Sequence, residues 1–394
     1  MRLFYAASGP ANLIASHEAW SAGMQNPTEV SVTFSSQVQQ FCRDVHARAM
    51  LVSTHPDGAR KESRSFTIEH RPKRQRSGLR HHVEEVRYGI GLLNSARRFG
   101  ANVALLDSGT THYFIMSLFR LFGIQVIPVL HNTLWPAGFR PTRRRDRLIH
   151  WLDAKFFRNF PLATIAVSPE TERQVEELAP GHGRPVYQIR AQFERSYFAA
   201  IPPPPPHDAR PFQVMFIGRV DREKGVLDIP HMARRVEDRS PGLVRWVICG
   251  RGPHADELSR AVTQLGVAHL VELRGWVSSE ELRDVYASSH AAIVPTRSGF
   301  REGLAMTAAE AILAGRPLIS NPVIPALELL EPAAMAARTD DPDSHADAVT
   351  LLAHDATLYR QLCAACSSLG EPFLSREYGL TLALHHILSS RGLT

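Results

Sequence analysis

The sequence predicts an α/β protein with two doubly wound domains, each built on a parallel sheet covered by helices. Three observations lead to this prediction. The 394 residues exceed one ordinary hydrophobic core. Short apolar runs alternate with helix-forming segments in both halves. Five consecutive prolines within residues 202–211 form a stiff spacer between the halves. We therefore predict domains at 1–201 and 212–371.

The first half opens with a strand, a small-residue turn at Ser8 to Pro10 and a helix. Further apolar runs predict strands at Val30–Phe34, Ala49–Ser53, Val103–Asp107, Val126–Leu130 and Ala163–Val167. The stretch 60–82 is densely basic and contains Pro72 and Gly78. We predict a mobile loop there, or a segment whose charge holds it near anionic lipid.

The second half is organised around Pro295–Ser320, which reads as a strand end, a loop and a helix that stops at Gly315. Glu302 and Glu310 lie eight positions apart across it. The amides at the start of such a helix bind anions, and we expect that start near Gly303. A diphosphate bound there needs cations, and Arg297 and Arg301 are local candidates.

A second source of cations is the turn that follows the predicted strand at Phe212. Its sequence, GRVDREKG, places Arg219 and Lys224 near the sheet edge. With VICGRGP, LRGWVSSEELRDVYASSHAAIVPT and REGLAMTAAEA further along, this order of segments resembles the carboxyl-terminal domain of the retaining family 4 glycosyltransferases of GT-B fold. The likeness covers residues 212–321.

The resemblance implies donor-site roles position by position. Arg219 and Lys224 would bind the donor diphosphate, with Gly218 in the same turn. Glu302 would contact the transferred sugar, with Arg301 beside it, and Glu310 would hold the ribose. The amides of Gly303, Leu304 and Ala305 would contact the phosphates. The family has glycine where Ala305 stands, and we expect alanine to exclude a positive φ. The base would be read by main chain around Val277.

In the first domain the resemblance implies two further residues. Gly9, in the first strand-to-helix turn, would contact a donor phosphate, or it is an ordinary turn glycine. His131 ends the predicted strand Val126–Leu130, where the family places a histidine beside the donor sugar, although a lone histidine is more often structural. The last segment, residues 372–394, resembles the helix that crosses back onto the first domain. We accordingly expect the two sheets to face an interdomain cleft.

The segment Thr142–Phe160 predicts a helix with an apolar stripe and four arginines in its first turn: Arg143, Arg144, Arg145 and Arg147. Cations at a helix amino terminus oppose the dipole. They indicate contact with lipid phosphates or an acceptor diphosphate, or a solvated edge beside a core-facing stripe. Residues 1–201 carry a net +10 and residues 202–394 a net −4, together the +6 of the chain.

Other classes of function fit the sequence poorly. No run of 18 apolar residues occurs, and no leader-like segment opens the chain. Four cysteines indicate a reducing compartment. We expect a cytoplasmic protein, with peripheral association at the inner face of the plasma membrane as a further expectation. No aromatic-studded basic groove or zinc pattern indicates nucleic acid. No Asp-x-Asp metal motif lies in a suitable strand-end loop, and we expect neither metal nor cofactor.

The predicted function is transfer of a hexose from a UDP- or GDP-sugar to a sugar hydroxyl of a lipid-linked or polysaccharide acceptor in bacterial envelope or exopolysaccharide assembly. The family retains anomeric configuration. His131, Glu302, Arg219 and Lys224 are the expected catalytic group. A GT-B nucleotide-sugar epimerase and a non-catalytic nucleotide-sugar-binding protein remain as alternatives.

Overall fold

The computed structural model describes residues 1–24 and 29–393. Its strands are β1 (Arg2–Ala6), β2 (Ser31–Val32), β3 (Arg48–Ser53), β4 (Arg60–Glu62), β5 (Phe66–His70), β6 (Val103–Asp107), β7 (Gln125–Leu130), β8 (Thr164–Ala166), β9 (Val186–Gln188), β10 (Gln192–Phe193), β11 (Phe212–Ile217), β12 (Val244–Cys249), β13 (Val271–Gly275), β14 (Ala291–Val294), β15 (Leu318–Ser320) and β16 (Ala334–Ala336).

The helices follow the same chain order. They are α1 (Leu13–Ser21), α2 (Phe34–Asp44), α3 (Leu79–Phe99), α4 (Tyr113–Leu121), α5 (Arg144–Asn159), α6 (Pro169–Leu178), α7 (Arg195–Ala199), α8 (Ile229–Arg239), α9 (Ala255–Gln264), α10 (Ser279–Ser288), α11 (Met306–Leu313), α12 (Ala326–Leu330), α13 (Pro342–His354), α14 (Ala356–Leu369), α15 (Glu371–Leu374) and α16 (Leu380–Ser389).

The chain forms two compact units. The first unit comprises Met1–Leu134, Pro141–Gln192 and Ser375–Thr394, and the second comprises Trp135–Arg140 and Phe193–Leu374. The first unit is therefore discontinuous in sequence. Helix α16 lies on α2 within it, where the Leu380 amide donates to Gln37 Oε1 at 2.8 Å and the Thr381 hydroxyl donates to the Gln37 carbonyl at 3.0 Å.

The first unit is built on an eight-stranded sheet of order β4-β5-β3-β1-β6-β7-β8-β9. All neighbouring strands are parallel except β4 and β5. The central strands are buried on both faces, as the unbroken apolar sequence of β6 requires. Their carboxyl ends consequently lie along one edge, which brings Ala6, Asp107 and Leu130 to neighbouring positions.

The basic stretch 60–82 contains more regular structure than the loop predicted there, and a loop remains only at residues 71–78 and between β4 and β5. It contains the antiparallel pair β4 and β5, and α3 begins at Leu79. Phe66, Ile68 and His70 are buried while the residues between them are half-buried, so β5 follows the alternation of a strand beside β3. The predicted strand Val30–Phe34 is likewise shorter, because Thr33 caps α2 by accepting from the Ser36 amide.

The second unit contains a six-stranded parallel sheet of order β13-β12-β11-β14-β15-β16. Pro230 lies in the first turn of α8, where a missing amide costs nothing. The chain from Pro342 to Leu369 is helical apart from Asp355. Strand β11 is central, so the loops after β11, β12 and β14 lie side by side.

The proline segment is bound to the second unit. Arg316 is fully buried, and its guanidinium donates to the carbonyls of Pro202 at 2.9 Å and Ser289 at 3.3 Å. The Tyr359 hydroxyl donates to the Pro205 carbonyl at 2.9 Å. The prolines predicted to form a spacer thus lie within the second unit. Within residues 1–24 and 29–393, no helix combines the length and apolar character that crossing a bilayer requires.

Candidate active site

Glu302 lies in the loop between β14 and α11 and is paired with a lysine. The Lys224 ammonium is 2.5 Å from Glu302 Oε2, and the Thr296 hydroxyl lies 3.5 Å from the same oxygen. Glu302 is 7% exposed. Lys224 also lies 4.2 Å from the centre of the Phe300 ring. Burial weakens screening of this pair, so the carboxylate is fixed at the carboxyl edge of β11 and β14.

Two glycines allow the loops at this edge to approach one another. Gly225 ends the turn that carries Lys224, with φ 71°, and a Cβ there would lie 1.9 Å from the Pro295 carbonyl oxygen. A Cβ on Gly250 would lie 1.7 Å from the Gly218 carbonyl oxygen. Both contacts are backbone on backbone, so no larger residue fits. The loops after β11, β12 and β14 form one surface for this reason.

Helix α11 begins at Met306, three residues later than expected, so the helix start predicted near Gly303 is wrong. Gly303 and Leu304 lie in the buried loop before it. Ala305 is the N-cap with φ 70° and ψ 85°, which contradicts the expectation that alanine excludes a positive φ there. Neighbouring contacts impose this conformation, since the Thr307 hydroxyl donates to the Ile217 carbonyl at 3.0 Å and ties the helix start to β11.

The candidate cations differ in how they are used. Arg219 follows β11, is half exposed and pairs with Asp221 at 3.0 Å. Arg297 pairs with Asp228 at 3.2 Å, an acid whose pKa is raised chiefly by burial. Arg301 is exposed. Arg219 and Arg301 therefore remain accessible to an anionic ligand, whereas Arg297 holds the loop to its own unit.

Arg251 is a cation that the sequence argument passed over. It follows β12 in the GRG of VICGRGP, is exposed, and its carbonyl accepts from the Val220 amide at 2.9 Å. It is thereby held next to the turn of Arg219. The feature that could have identified Arg251 is its position after β12, the strand that neighbours β11.

Glu310 lies on α11 and is half-buried. The hydroxyl of Tyr286, a fully buried residue of α10, donates to Glu310 Oε2 at 2.8 Å. Burial, and then the Glu310 carboxylate, raise the pKa of Tyr286 well above its usual value. The phenol consequently keeps its proton and orients the carboxylate. Val277 lies between β13 and α10, close in sequence to the capping box of Ser278 and Glu281.

In the first unit, His131 directly follows β7 and meets Asp107, the last residue of β6. His131 Nε2 is 2.9 Å from Asp107 Oδ1. The other oxygen, Oδ2, accepts from the Tyr5 hydroxyl at 2.9 Å and from the Ser8 amide at 3.0 Å. Burial and Asp107 raise the pKa of Tyr5 well above its usual value, so it remains a donor.

Asp107 is therefore a candidate residue that the sequence argument missed. It is 3% exposed although it carries a carboxyl group, and it lies where two neighbouring parallel strands end. Position at a strand end next to His131 was the available signal. The His131 imidazole also packs against Phe34, whose ring centre lies 4.4 Å from its own.

Gly9 lies in the turn after β1, with φ 67°, and is exposed. Its carbonyl accepts from the Thr54 amide at 3.2 Å, and no atom would contact a Cβ there within 4 Å. The first unit thus places Gly9, Asp107 and His131 along one sheet edge. The second unit places Gly218, Arg219, Lys224 and Glu302 along the corresponding edge of its own sheet.

One group of potential metal ligands occurs among the described residues: His55, Asp57 and His70, with ligand atoms within 4.8 Å of one another. His70 Nδ1 is 2.6 Å from Asp57 Oδ1, and its Nε2 accepts from the Ile14 amide at 3.3 Å. A ring that accepts at Nε2 carries its proton on Nδ1, which therefore donates to Asp57. Hydrogen bonding accounts for this cluster, and a metal ion would have to displace that proton.

Comparison with known proteins identifies part of the chain. Residues 211–355 match the family model described as "Glycosyl transferases group 1". These residues are a group 1 glycosyltransferase domain. An uncharacterized glycosyltransferase of Methanocaldococcus jannaschii is 28% identical over 118 residues, which are 30% of this chain and 29% of the relative. The matched region is thus under a third of that relative's length.

Two solved structures resemble the whole chain, including this glycosyltransferase domain. Sucrose-phosphate synthase from Thermosynechococcus elongatus has a TM-score of 0.72 at 15% identity, covering 100% of this chain and 99% of its own. Anabaena HepE in complex with UDP and glucose has a TM-score of 0.67 at 14% identity, covering 99% of this chain and 100% of its own. Likeness at this identity shows the fold, which is GT-B as predicted.

Proposed function

We propose that the chain is a retaining glycosyltransferase that moves a hexose from a UDP- or GDP-sugar to a sugar hydroxyl. The observation that carries the proposal is the buried Lys224–Glu302 pair at the carboxyl edge of β11 and β14, immediately before α11. It lies inside the segment that matches the group 1 glycosyltransferases. Sites of open α/β sheets lie at this edge.

The residues at this edge suit departure of a diphosphate. Negative charge builds on the phosphate as the bond to the sugar breaks, so fixed cations and amides there lower the barrier. Lys224, Arg219 and Arg301 are the cations, and the amides of Gly303, Leu304 and Ala305 precede the start of α11. In the proposed front-face path the leaving phosphate takes the proton of the acceptor hydroxyl. Glu302 then orients the sugar, and no metal ion is required.

Glu310 would bind the ribose hydroxyls. Its carboxylate is held by the Tyr286 phenol, which stays protonated at neutral pH. A carboxylate fixed in this way loses less rotamer entropy when it binds a diol. The backbone around Val277 would read the base.

His131 would contact the transferred sugar, and Asp107 would set its orientation. The carboxylate of Asp107 is bound by Tyr5 and Ser8 on one oxygen and faces His131 with the other. Asp107 therefore acts as a positioning residue in this proposal. Gly9, exposed in the neighbouring turn, would offer its amide to the donor phosphate.

The donor and acceptor are proposed at the level of chemical class. The HepE structures contain UDP, glucose or UDP-glucose, which supports a UDP-hexose as the first donor to test. We assign donor binding to 212–371 and acceptor binding to 1–201 with 372–394. A lipid-linked or polysaccharide acceptor in bacterial envelope or exopolysaccharide assembly, and a cytoplasmic protein in peripheral contact with anionic lipid, complete the proposal.

The first experiment is a thermal-shift screen with UDP, GDP and ADP, followed by slow hydrolysis of the corresponding sugar nucleotides. A ligand that binds only the native state raises Tm with its concentration. Stabilisation by one nucleotide with release of free hexose supports a transferase. Stabilisation without hydrolysis favours a binding protein, a change in sugar configuration favours the epimerase, and no response to any nucleotide refutes the proposal.

A further inference from the structure

We propose that the first unit contains a separate site for a phosphate group, formed by the loop before α3 and the amino-terminal turn of α5. The loop contributes Arg74, Arg76 and Arg80, and the helix contributes Arg143, Arg144 and Arg147. We call these six arginines the basic edge. The proposal deepens the proposed function, on which it rests, because it gives the acceptor a phosphate group.

An open surface depression marks the site. Gln75, Arg76, Ser77 and Arg80 line a pocket of about 360 Å³. Two guanidinium groups, a carboxamide and a hydroxyl can all donate hydrogen bonds, and the lining contains no carboxylate. This donor set is suited to an oxyanion such as phosphate, which guanidinium groups bind in bidentate fashion.

The arginines of the basic edge have no protein counter-ion. Within residues 1–24 and 29–393, none of the six side chains makes an ion pair or a hydrogen bond. Two other cations of the same stretch are paired, since Arg71 lies 2.7 Å from Glu69 and Lys73 lies 2.7 Å from Glu85. Clustered unpaired cations repel one another, and a bound anion relieves that repulsion.

The two segments of the basic edge share one electrostatic environment. His82, in the first turns of α3, has its pKa lowered by burial and then by His81 and Arg145, while Asp146 and Glu85 act in the opposite direction. Arg145 belongs to the first turn of α5. His82 Nδ1 also lies 3.1 Å from His112 Nε2, at the start of α4. His82 therefore lies within the electrostatic reach of charged side chains from both segments.

The loop is also joined to the candidate catalytic edge. Lys73 donates to the carbonyls of Gly109 at 3.3 Å and Thr110 at 3.0 Å. These residues follow Asp107, the partner of His131. The arginine loop is thus attached to the turn that leaves the catalytic strand β6, which favours a role for the pocket in holding the substrate that meets His131.

Exposed apolar side chains border the arginines. Leu79 is 76% exposed and Val83 is 67% exposed on α3, and Leu148 and Trp151 are more than half exposed on α5. Alternating cations and exposed apolar groups suit a phosphate attached to a lipid. A soluble phosphorylated glycan offers the same phosphate chemistry, so the experiment includes both sources.

The test compares the full-length wild type with R74Q/R76Q/R80Q. The control is R64Q/R98Q/R260Q, which removes the same charge from three exposed arginines that make no ion pair or hydrogen bond within the described residues. The probes are inorganic tripolyphosphate, titrated by calorimetry with UDP and GDP saturating, and phosphatidylcholine vesicles with or without phosphatidylglycerol. We expect the test variant to bind the preferred probe on the order of 100-fold more weakly, since each of the three arginines contributes about fivefold near an anionic surface.

The outcomes separate the alternatives. Loss of tripolyphosphate binding in the test variant alone supports a soluble phosphate, and loss of vesicle binding alone supports a lipid phosphate. Equal loss in the control variant, or unchanged binding of both probes in the test variant, overturns the site. A wild type that binds tripolyphosphate but no nucleotide refutes the proposed transferase activity and leaves the phosphate site standing.

Discussion

Two surfaces of the molecule use arginine in opposite ways. On the face shared by α8 and α13, Arg235 lies 2.9 Å from Asp343 and Arg239 lies 2.7 Å from Asp347. In the basic edge of the first unit, the six arginines have no carboxylate partner among the described residues. Paired arginines add modestly to stability. Clustered arginines without a partner repel one another, which is why we propose an external anion for the basic edge.

The donor edge combines the two uses. Lys224 is paired with Glu302, and Arg219 with Asp221, yet both cations lie at the sheet edge where we propose that the donor binds. The acid holds the cation in place before the ligand arrives. Preorganisation of this kind is the main source of catalytic electrostatics.

The largest expected effect comes from removing the cation of the buried pair. We expect Lys224→Ala to lower kcat/KM by about 10²–10³, because one donor to the developing charge is lost. The measurement is initial rate of donor consumption, with circular dichroism to verify folding. Arg222→Ala is the matched control, since Arg222 lies in the same turn but pairs with exposed Glu257 at 2.6 Å. Equal loss in both variants would contradict the assignment of Lys224.

The second prediction concerns Arg316, which is buried without a carboxylate. Its partners are main-chain carbonyls, including those of Pro202 and Ser289. Arg316→Met should lower the free energy of unfolding by ~3 kcal/mol, since buried carbonyls lose their donor. Urea denaturation measures it. Arg260→Met, at an exposed site, should change the free energy of unfolding little. An equal effect in the two variants would show that the hydrogen bonds of Arg316 to these carbonyls do not stabilise the second unit.

The third prediction concerns the pH dependence of stability, because protonation of His290 would place an uncompensated positive charge inside the folded chain. His290 is 2% exposed, and its pKa is lowered to about 4 by burial first and then by Arg210, His207 and Arg316. The unfolded chain takes up this proton below pH ~6.5, whereas the folded chain resists until about 4. Stability should therefore fall as pH is lowered through that window, by at most roughly 3 kcal/mol.

The comparison for this pH effect is His290→Gln, which keeps an acceptor for the Gln213 amide that donates to His290 Nδ1 at 3.0 Å. Urea midpoints at pH 7 and pH 4.5 measure the slope for each protein. The variant should depend less on pH than the wild type. Parallel slopes would assign the effect to other groups.

The smallest expected effect is a difference in stability between substitutions on the two arginine surfaces, the α8–α13 face and the basic edge. Arg239→Gln should destabilise the chain by about 0.2–1 kcal/mol, the usual range for an exposed ion pair. Arg76→Gln should leave stability unchanged or slightly raise it, because it removes repulsion without breaking a pair. Paired thermal-unfolding measurements at low salt test this difference. A larger loss from Arg76→Gln would mean that this arginine is structural.

The sequence alone predicts the main strands well because they are unbroken apolar runs, as in Val103–Asp107. It misses β5 because the basic composition of 60–82 hides the alternation of Phe66, Ile68 and His70. That alternation was present in the sequence and should have outweighed the charge. Chain composition describes the environment of a segment, whereas periodicity reports its conformation.

The candidate site is predictable to a different depth in the two units. Lys224 and Glu302 come from a spaced motif, and the structure joins them at 2.5 Å. The Asp107–His131 contact needs the order of neighbouring strands, which a single sequence does not contain. The conformation of Ala305 is set by contacts between segments that are distant in sequence, so the conformational preference of alanine predicts the wrong φ there.

Ala305 has a consequence for how mutations near it should be interpreted. In the left-handed region, the conformational free energy of a residue with a side chain is about 1–2 kcal/mol higher than in its ordinary conformation. The backbone at Ala305 would therefore relax if its neighbouring contacts were lost. Its anchors are the Thr307 bond to β11 and the Lys224–Glu302 pair. Removing either contact would allow the backbone at Ala305 to adopt another conformation. Lost turnover in such variants would then reflect both the missing charge and a displaced backbone. Ala305→Gly removes the backbone strain and keeps the charges, so it separates the two effects.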